Sequence, residues 1–301
     1  MENNRVVVVN SKIARYDAPA SSHLFYTTSS AEAARSILQT NTRILEFVGG
    51  DGTLSATLND VLASEPDFLK EREIVINPRG SGNDRIKSLR EFEKLSDIAG
   101  TSASPFLITD DYLLATINGR YKRYVFNIAG IGLDSHTLLE YEAMRKWLVP
   151  GKLRYFGAAA RSIFRLNGYK GNVQYQRGNS DVQTAEPIMF LFMLGKYFGG
   201  GMAVNHQLNI NDGRFESLIL NRGSHGKLFA ALFAISVLQK SQEGNPLVDY
   251  LETADRLQLT LSSRDKFFFE SDGEVLTDEG RPVEVHELQI ETAGKITYRL
   301  E

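Results

Sequence analysis

A buried-strand pattern that runs directly into a glycine turn constrains this sequence more than any other feature. The apolar residues 44–48 are followed by the segment GGDGT at 49–53 and then by residues 54–62, which have helical spacing. A strand, a glycine turn and a helix start bring backbone N–H groups and one carboxylate to the same point. Such a turn can hold phosphate groups, and a carboxylate beside phosphate indicates a bridging Mg²⁺ or an acid–base task. The alternative is a plain turn in which Asp51 only caps the helix.

Length and composition limit the class of protein. The chain has 301 residues, which exceeds the usual single-domain core and predicts two domains. It is 42% hydrophobic with a formal charge of −3, so we expect an ordinary globular protein and no nucleic-acid partner. The absence of cysteine excludes disulfides and thiol chemistry. Neither a signal-peptide pattern nor an apolar run of roughly 18 residues is present, so we expect a cytoplasmic protein.

Strand and helix patterns alternate up to about residue 118. The β-branched run at residues 6–9 and the apolar run at 73–76 have the composition of parallel strands buried on both faces. We therefore predict a parallel α/β layer over residues 1–118, followed by a mostly antiparallel β domain over residues 119–288. The strands predicted in the second domain lie at 121–128, 172–176, 187–194, 216–220, 256–261 and 266–270, and its helices at 152–166 and 227–239.

Four further motifs follow the first glycine turn. The second glycine loop comes directly after the strand at 73–76, and loops at the ends of neighbouring parallel strands face one crevice. Each motif taken alone is more typical of an ordinary turn, so their order carries the information. The four are NPRGSGND at 77–84, NIAGIGLD at 127–134, the glycine triplet at 199–201 with NDG at 211–213, and SDGE at 271–274.

In this order the motifs resemble those of the diacylglycerol kinase catalytic-domain family, specifically its bacterial soluble lipid kinases. That family reads G-G-D-G-T, P-x-G-[ST]-x-N-D, N-x-x-G-x-G-x-D, a D-G near a glycine triplet, and D-G-E. The resemblance implies that residues 1–118 bind ATP and that residues 119–288 form a β-sandwich-like lipid-binding domain. Residues from about 289 to 301 would return to the first domain. Sphingosine kinases and NAD kinases are more distantly similar.

The function that the resemblance implies is Mg²⁺-dependent transfer of the γ-phosphate of ATP to a hydroxyl of a diacylglycerol-like lipid. Two alternatives stay open. NAD kinases share the G-G-D-G signature, although their later asparagine–glutamate motif is not evident here. A non-catalytic homologue that only binds nucleotide or lipid is the other alternative.

The resemblance also implies roles for individual residues. Glu274 matches the proton acceptor, with Asp272 as a second carboxylate beside it, and Asp51 completes the implied catalytic set. Asp51, Asp84 and Asp134 are the carboxylates implied around a catalytic Mg²⁺. The implied nucleotide-binding residues are Asn10, Thr27, Gly49, Gly50, Asp51, Gly52, Thr53, Gly80, Ser81 and Asn83.

A structural cation site is a separate implication of the resemblance. It would consist of the Asp212 carboxylate and the backbone carbonyls of Asn209 and Arg214. Carboxylate and carbonyl oxygens suit a hard cation such as Mg²⁺ or Ca²⁺. A plain Asn-Asp-Gly turn explains the same residues equally well.

Two departures from the family pattern concern nucleotide binding. Asn10 matches the family's first loop, but the proline and glycine that usually follow are absent. Ser55 stands where the family usually has asparagine, and neighbouring Thr28 leaves the register of Thr27 ambiguous. The sequence therefore leaves open whether the affinity for ATP is weakened.

The segment between Glu142 and Asp181 contains basic and aromatic residues and no acidic one. A face of this kind suits an anionic bilayer, so we expect peripheral contact with the inner membrane face, where a lipid substrate lies. The alternative is a solvated basic helix packed on the β domain. The sequence leaves the oligomeric state open, a homodimer included.

Overall fold

The protein is described here from a computed structural model. The structure describes residues 5–13, 15–19, 22–80, 82–98, 105–144, 151–166, 172–205, 209–236, 244–261 and 266–301.

The first part of the chain is a parallel sheet with helices. Its strands are hydrogen-bonded in the order β2-β1-β3-β4, and every neighbouring pair is parallel. This confirms the parallel layer predicted from the sequence, although the sequence analysis missed the edge strand β2. The elements are β1 (Arg5–Asn10), β2 (Ser22–Thr27), α1 (Ser30–Leu38), β3 (Ile44–Gly49), α2 (Asp51–Ser64), a 3₁₀ helix (Phe68–Glu71), β4 (Glu73–Pro78) and α3 (Asp84–Ile98).

The run of four valines in β1 shows why this layer forms. Val6 and Val8 pack into the core beneath α1 and α2, whereas Val7 and Val9 pack on the opposite face of the sheet. All four side chains are fully buried. A strand that is apolar at successive positions is stable only when both faces of its sheet are covered.

The second part of the chain is mostly antiparallel. A six-stranded sheet has the order β14-β13-β10-β7-β16-β17, and all its neighbouring strands are antiparallel. The fold class predicted from the sequence, α/β plus β, is confirmed. The elements are β5 (Phe106–Ile117), β6 (Tyr121–Val125), β7 (Ile128–Gly132), α4 (Leu133–Ala143), α5 (Gly151–Leu166), β8 (Val173–Arg177), β9 (Gln183–Ala185), β10 (Pro187–Met193), β11 (Tyr197–Phe198), β12 (Met202–Ala203), β13 (Phe215–Asn221), α6 (His225–Ser236), β14 (Val248–Ala254), β15 (Arg256–Leu261), β16 (Phe269–Ser271), β17 (Glu274–Val275), β18 (Thr277–Asp278), β19 (Arg281–Pro282) and β20 (Glu287–Leu300).

The long strand β20 joins the two parts into one sheet. One edge of β20 runs antiparallel to β5 along its length. The other edge pairs first with β15, and then with β4 in parallel at Thr297 and Tyr298. Because the last residues of the chain are hydrogen-bonded into the first layer, the two parts are held in a fixed relation at this seam.

The cores of the second part lie on the two faces of the six-stranded sheet. One face packs against β5, β15 and β20 through residues such as Phe190, Phe192, Leu259 and Ile290. The other face packs against α5 and α6, with Ile163 and other apolar residues filling the space. This is the sandwich expected when two sheets each bury one apolar face.

Two strand predictions need correction. The parallel layer does not extend to residue 118, because the Asn118-Gly119 turn folds β5 back onto β6 as an antiparallel hairpin. Both central residues of this β-turn, which the hydrogen bond from the Arg120 N–H to the Ile117 carbonyl closes at 3.0 Å, have positive φ, 52° and 62°. The strand predicted at 121–128 is two strands, since the backbone N–H groups of Phe126 and Asn127 donate to the Asp272 carboxylate rather than to a ladder.

The helix predicted at 227–239 begins earlier, at His225, and is described as far as Ser236. Its predicted final residues, 237–239, lie outside the described residues.

Candidate functional site

A cleft of about 650 Å³ lies where the two parts of the chain meet. One wall consists of the two glycine loops, and the other consists of residues from β7, α4, α5, β11 and the turn between β16 and β17. Its lining comprises Asn10, Gly50, Asp51, Gly52, Thr53, Gly80, Gly82, Asp84, Asn127, Ile128, Leu138, Tyr141, Tyr155, Phe198, Gly199, Gly200, Asp272, Gly273 and Glu274. The motifs that the sequence analysis singled out therefore converge, with the exceptions named below.

The two glycine loops pack backbone against backbone. A Cβ atom on Gly80 would overlap the Cα atom of Gly50, which leaves no room for a side chain there. The Arg79 N–H donates to the Gly49 carbonyl at 2.8 Å. Asn10 donates from its side-chain amide to the Thr53 hydroxyl at 3.0 Å, which ties the end of β1 to the first turn of α2.

Asp51 does not cap its own helix. The N-cap of α2 is Gly50, and no side chain makes a capping hydrogen bond there. The Asp51 carboxylate instead accepts the N–H groups of Asp84 at 2.8 Å and Arg85 at 3.3 Å, at the start of α3. This arrangement leaves the N-terminus of α2 without a side-chain capping hydrogen bond, and that end of the helix lines the cleft.

Asp51 and Asp84 lie together. A Cβ atom on Gly82 would be 3.4 Å from an oxygen of Asp51 and 3.5 Å from an oxygen of Asp84. Burial raises the pKa of Asp51, and the neighbouring charge of Asp84 raises it further. The Asp84 carboxylate also accepts the Gly200 N–H at 2.7 Å, which brings the glycine triplet to the cleft. Two close carboxylates form an electronegative point suited to a cation.

Other predicted nucleotide-binding residues have partners within the protein. The Asn83 side chain accepts the Gly80 N–H at 3.0 Å and donates to the Gly80 carbonyl at 2.7 Å, so it holds the second loop in shape. The Thr27 hydroxyl donates to the Ser29 carbonyl at 2.6 Å, at the end of β2 beside Asn10. Ser81 lies outside the described residues.

Asp272 is held by four donors. Its carboxylate accepts the Ser55 hydroxyl at 2.7 Å and the backbone N–H groups of Phe126, Asn127 and Ile128 at 3.0, 2.8 and 3.2 Å. Burial raises the pKa of Asp272 to about 6, although these hydrogen bonds lower it. Because Ser55 belongs to α2 and the other donors belong to the second part, Asp272 clamps the two walls of the cleft together.

Glu274 has a different environment. Its carboxylate reaches over the first turn of α2, where a Cβ atom on Gly52 would lie 3.4 Å from Oε1. Neither oxygen accepts a hydrogen bond from the described part of the chain. The Glu274 side chain is exposed to the cleft. Partial burial nevertheless raises its pKa, and the charge of Arg123 lowers it by a smaller amount. A carboxylate that is open, basic and inside the cleft can accept a proton.

Asp134 is not part of this group. It is 2% exposed and lies beside Glu270, and a Cβ atom on Gly130 would overlap its carboxylate. Both oxygens of Asp134 and one of Glu270 are buried without a donor among the described residues. Burial raises the pKa of both carboxyls, and the charge of Asp134 raises that of Glu270 further. The pair therefore retains a proton near neutral pH.

The implied arrangement of three carboxylates around one metal is thus not what the structure shows. Within the described ranges, no three histidine, aspartate or glutamate side chains are grouped so that they could hold a metal ion. Asp51 and Asp84 come together, whereas α4 directs Asp134 into the second part, where Glu270 is its neighbour. The sequence analysis missed Glu270, which lies on β16 two residues before Asp272 of the SDGE motif.

Replacing Glu270 by glutamine tests this buried pair. A carboxyl whose pKa is higher in the folded than in the unfolded state makes stability fall as pH rises between those two values. We expect Glu270→Gln to melt a few degrees above the wild type at pH 8, where about 1 kcal/mol corresponds to roughly 2–4 °C. At pH 5 the difference should shrink, because the protonated pair costs little.

Thermal melts at pH 5 and pH 8 measure this effect. The exposed Glu287, changed to glutamine, is the matched control and should follow the wild type at both pH values. Melting temperatures that change in parallel with pH for Glu270→Gln and the wild type would contradict a raised pKa of Glu270 in the folded protein.

The predicted structural cation site has the geometry of a turn. The Asp212 carboxylate accepts the Arg214 N–H at 2.9 Å, and both residues are exposed. The side chain of Asn209 donates to Glu216 at 2.8 Å. The carboxylate of Asp212 is thereby closed onto its own backbone, as the alternative interpretation of this segment expects.

The basic segment predicted to contact a membrane is partly engaged within the protein. Arg161 and Arg165 of α5 form ion pairs with Glu140 of α4. Leu153 and Phe164 on the same helix are 64% and 62% exposed. Trp147 lies outside the described residues. No helix in the described ranges is long and apolar enough to span a bilayer.

Comparisons with known proteins bear on the family and the fold. Residues 9–104 match the family model of the diacylglycerol kinase catalytic domain. The protein named "Putative lipid kinase SH2167" from Staphylococcus haemolyticus is 25% identical over 245 residues, which cover 80% of this chain and 73% of that protein. The protein named "Putative lipid kinase SaurJH9_0749" from Staphylococcus aureus is 25% identical over 242 residues, which cover 80% of this chain and 74% of that protein.

A solved structure has the same fold. The crystal structure of a diacylglycerol kinase from Bacillus anthracis aligns with a TM-score of 0.60 and 14% identity, over 99% of this chain and 97% of that one. The resemblance predicted from the order of the motifs is confirmed, and the similarity of fold extends over nearly the whole chain.

Proposed function

We propose that this chain, whose residues 9–104 match diacylglycerol kinase catalytic domains, is an ATP-dependent lipid kinase. It would transfer the γ-phosphate of ATP to a hydroxyl of a diacylglycerol-like lipid. The observation that carries the proposal is the single cleft in which Asp51 and Asp84 share space with Glu274 and an apolar wall. A phosphate site, a base and an apolar surface in one cleft are the parts that such a transfer needs.

The glycine loops would bind the phosphates of ATP. The N-terminus of α2 lines the cleft without a side-chain cap, and helix N-termini attract anions. Because Gly50 and Gly80 are in backbone contact and carry no side chains, phosphate would be able to approach the backbone of both loops. Asn10, which donates to Thr53, positions the first loop, and this contact supports nucleotide binding without the family's usual proline and glycine.

Asp51 and Asp84 would hold the Mg²⁺ ion. Magnesium is usually bound by one or two protein carboxylates together with phosphate oxygens and water, and these two carboxylates fit that set. When bound, the ion would neutralise charge on the phosphates. Burial and the charge of Asp84 raise the pKa of Asp51, although Lys87, which lies 3.3 Å from Asp84, offsets part of this effect.

Glu274 would act as the general base. It accepts the proton of the lipid hydroxyl while that oxygen forms a bond to the γ-phosphorus, and the bond from the phosphorus to the ADP oxygen breaks. Asp272 has no free role in this step, because four donors occupy its carboxylate. It would instead set the position of the turn that carries Glu274.

A membrane-facing role for α5 belongs to the same proposal. The exposed Leu153 and Phe164 lie on a helix with three described arginines, which suits peripheral contact with the anionic inner face of the membrane. Leu153→Ser should weaken co-sedimentation with anionic vesicles. Binding that does not depend on anionic lipid would contradict this contact.

A phosphate-transfer screen tests the proposed activity. The purified chain is incubated with Mg²⁺ and γ-labelled ATP, and the acceptors are diacylglycerol, monoacylglycerol, phosphatidylglycerol, a sphingoid base and NAD⁺. We expect label in a lipid product. Label in NADP⁺ alone would assign an NAD kinase, and no transfer to any acceptor would favour a non-catalytic binding protein.

A further inference from the structure

Tyr155 is a polar group in the cleft wall that the proposed mechanism leaves unused. It lies on α5 and lines the cleft together with Ile128, Leu138 and Phe198. Its ring centroid is 6.0 Å from that of Tyr141 on α4, so the two helices present an aromatic surface. The hydroxyl of Tyr155 has no hydrogen-bond partner among the described residues, although the ring is largely covered.

The Tyr155 hydroxyl lies close to the reacting end of the cleft. A Cβ atom on Gly199 would be 3.1 Å from that hydroxyl, and the next residue, Gly200, donates its N–H to Asp84. Gly199 has a φ of 58°, which suits glycine and keeps the loop close to the tyrosine. A ligand atom that is hydrogen-bonded to the Tyr155 hydroxyl would therefore lie near Asp84, the carboxylate that we place at the phosphates.

The charges around this hydroxyl limit what it binds. Burial and the charges of Glu270, Asp134 and Asp84 raise the pKa of Tyr155 well above its usual value, so the phenol stays protonated and is a donor. Asp84 and the negative charge that the Asp134–Glu270 pair keeps beside its proton disfavour an anionic group placed next to the hydroxyl. A neutral oxygen acceptor fits this position, and the apolar neighbours of the ring favour one attached to a lipid.

We infer that the Tyr155 hydroxyl donates a hydrogen bond to the ester carbonyl next to the reacting hydroxyl of a neutral acylated lipid. This inference rests on the proposed lipid kinase function and names a residue that determines its specificity. In a 1,2-diacylglycerol the carbon adjacent to the one that bears the hydroxyl carries an ester group, whose carbonyl is linked to that carbon through the ester oxygen. An ether-linked dialkylglycerol of equal chain length has the same hydroxyl and the same apolar chains, but no carbonyl.

The test compares these two lipids in mixed micelles with the wild type and with Tyr155→Phe. The wild type should have a kcat/KM for the ester lipid on the order of 10-fold above that for the ether lipid, since an unmade hydrogen bond to a neutral group has about this effect. Tyr155→Phe should lose this preference by weakening use of the ester lipid, with the ether lipid and the KM for ATP unchanged.

Tyr141→Phe is the matched control. Its hydroxyl lines the same cleft but already accepts a hydrogen bond from Arg154 at 2.7 Å, so its loss should leave the ester preference intact. Thermal melts check that all variants fold.

Three results would overturn the inference while leaving the kinase function standing. The first is equal use of the two lipids by the wild type, and the second is an unchanged ester preference in Tyr155→Phe. The third is an equal loss of kcat/KM on both lipids in Tyr155→Phe, which would indicate that the hydroxyl contacts the phosphate and not the ester. The wild-type comparison needs no variant, so it decides even if Tyr155→Phe fails to fold. A wild type that labels no lipid at all would instead remove the proposed function itself.

Discussion

Glu274→Gln is expected to lower kcat for γ-phosphate transfer to lipid by roughly 10²–10⁴-fold, the usual contribution of a general base. Glutamine keeps the size of the side chain above Gly52 but cannot accept the proton. The Glu274 carboxylate is also free of hydrogen bonds from the described residues, so its loss removes little stability. Single-turnover transfer of label from ATP measures the effect, and an unchanged melting temperature shows that the fold is intact.

The pH dependence of kcat gives a second readout for Glu274. The base works only when it is deprotonated, and partial burial raises its pKa above the ordinary glutamate value. The rate should therefore fall on the acid side of a pKa higher than that of a free glutamate. Glu287→Gln, a change of an exposed carboxylate outside the cleft, should keep wild-type activity. Undiminished activity of Glu274→Gln would move the base elsewhere.

Asp51→Asn is expected to lower transfer by at least about 10²-fold, because it removes both a charge for Mg²⁺ and an acceptor at the start of α3. The Asp51 oxygens accept the N–H groups of Asp84 and Arg85, and an asparagine amide would point a donor at one of these donors. Nucleotide binding should weaken together with catalysis.

The rise in melting temperature on adding Mg²⁺ and ATP measures that binding without any turnover. It should be present in the wild type and nearly lost in Asp51→Asn. Asp67→Asn is the control, because the Asp67 side chain lies just after α2 and is 81% exposed. A full rise in Asp51→Asn would place the metal on other residues.

The parts of the fold with a strong local signal were predictable from the sequence. The run from Val6 to Val9 specifies a strand buried on both faces, and each glycine loop follows its strand as the pattern requires. These features depend on neighbours in the sequence. The order of β5 and β20 was not predictable in the same way, since it depends on pairing between residues nearly two hundred positions apart.

In the functional site, too, some features were predictable from the sequence and others were not. The sequence identified Asp51, Asp84 and Glu274, whose positions follow from loops at strand ends. It could not show that Asp272 is occupied by donors from two distant segments, or that Asp134 has Glu270 as its neighbour. Those facts depend on how the six-stranded sheet packs against α4.

Tyr155 shows the same difficulty in another form. In the sequence it belongs to a basic and aromatic segment that suits a membrane surface. The structure turns this residue of α5 into the cleft, while Leu153 and Phe164 on the same helix remain exposed. Helical spacing gives the faces of α5, but only the packing of α4 and α5 decides which face borders the cleft.

The claim that the cleft transfers the terminal phosphate of ATP to a lipid is tested most directly by the position of the label. Parallel reactions use ATP labelled at the γ-phosphate or at the α-phosphate, with diacylglycerol as acceptor and Mg²⁺ present. The account predicts label in the lipid phase only from γ-labelled ATP, at a rate that Glu274→Gln lowers by at least about 10²-fold. Transfer of the α-label, or no label in the lipid phase with the wild type, would contradict it.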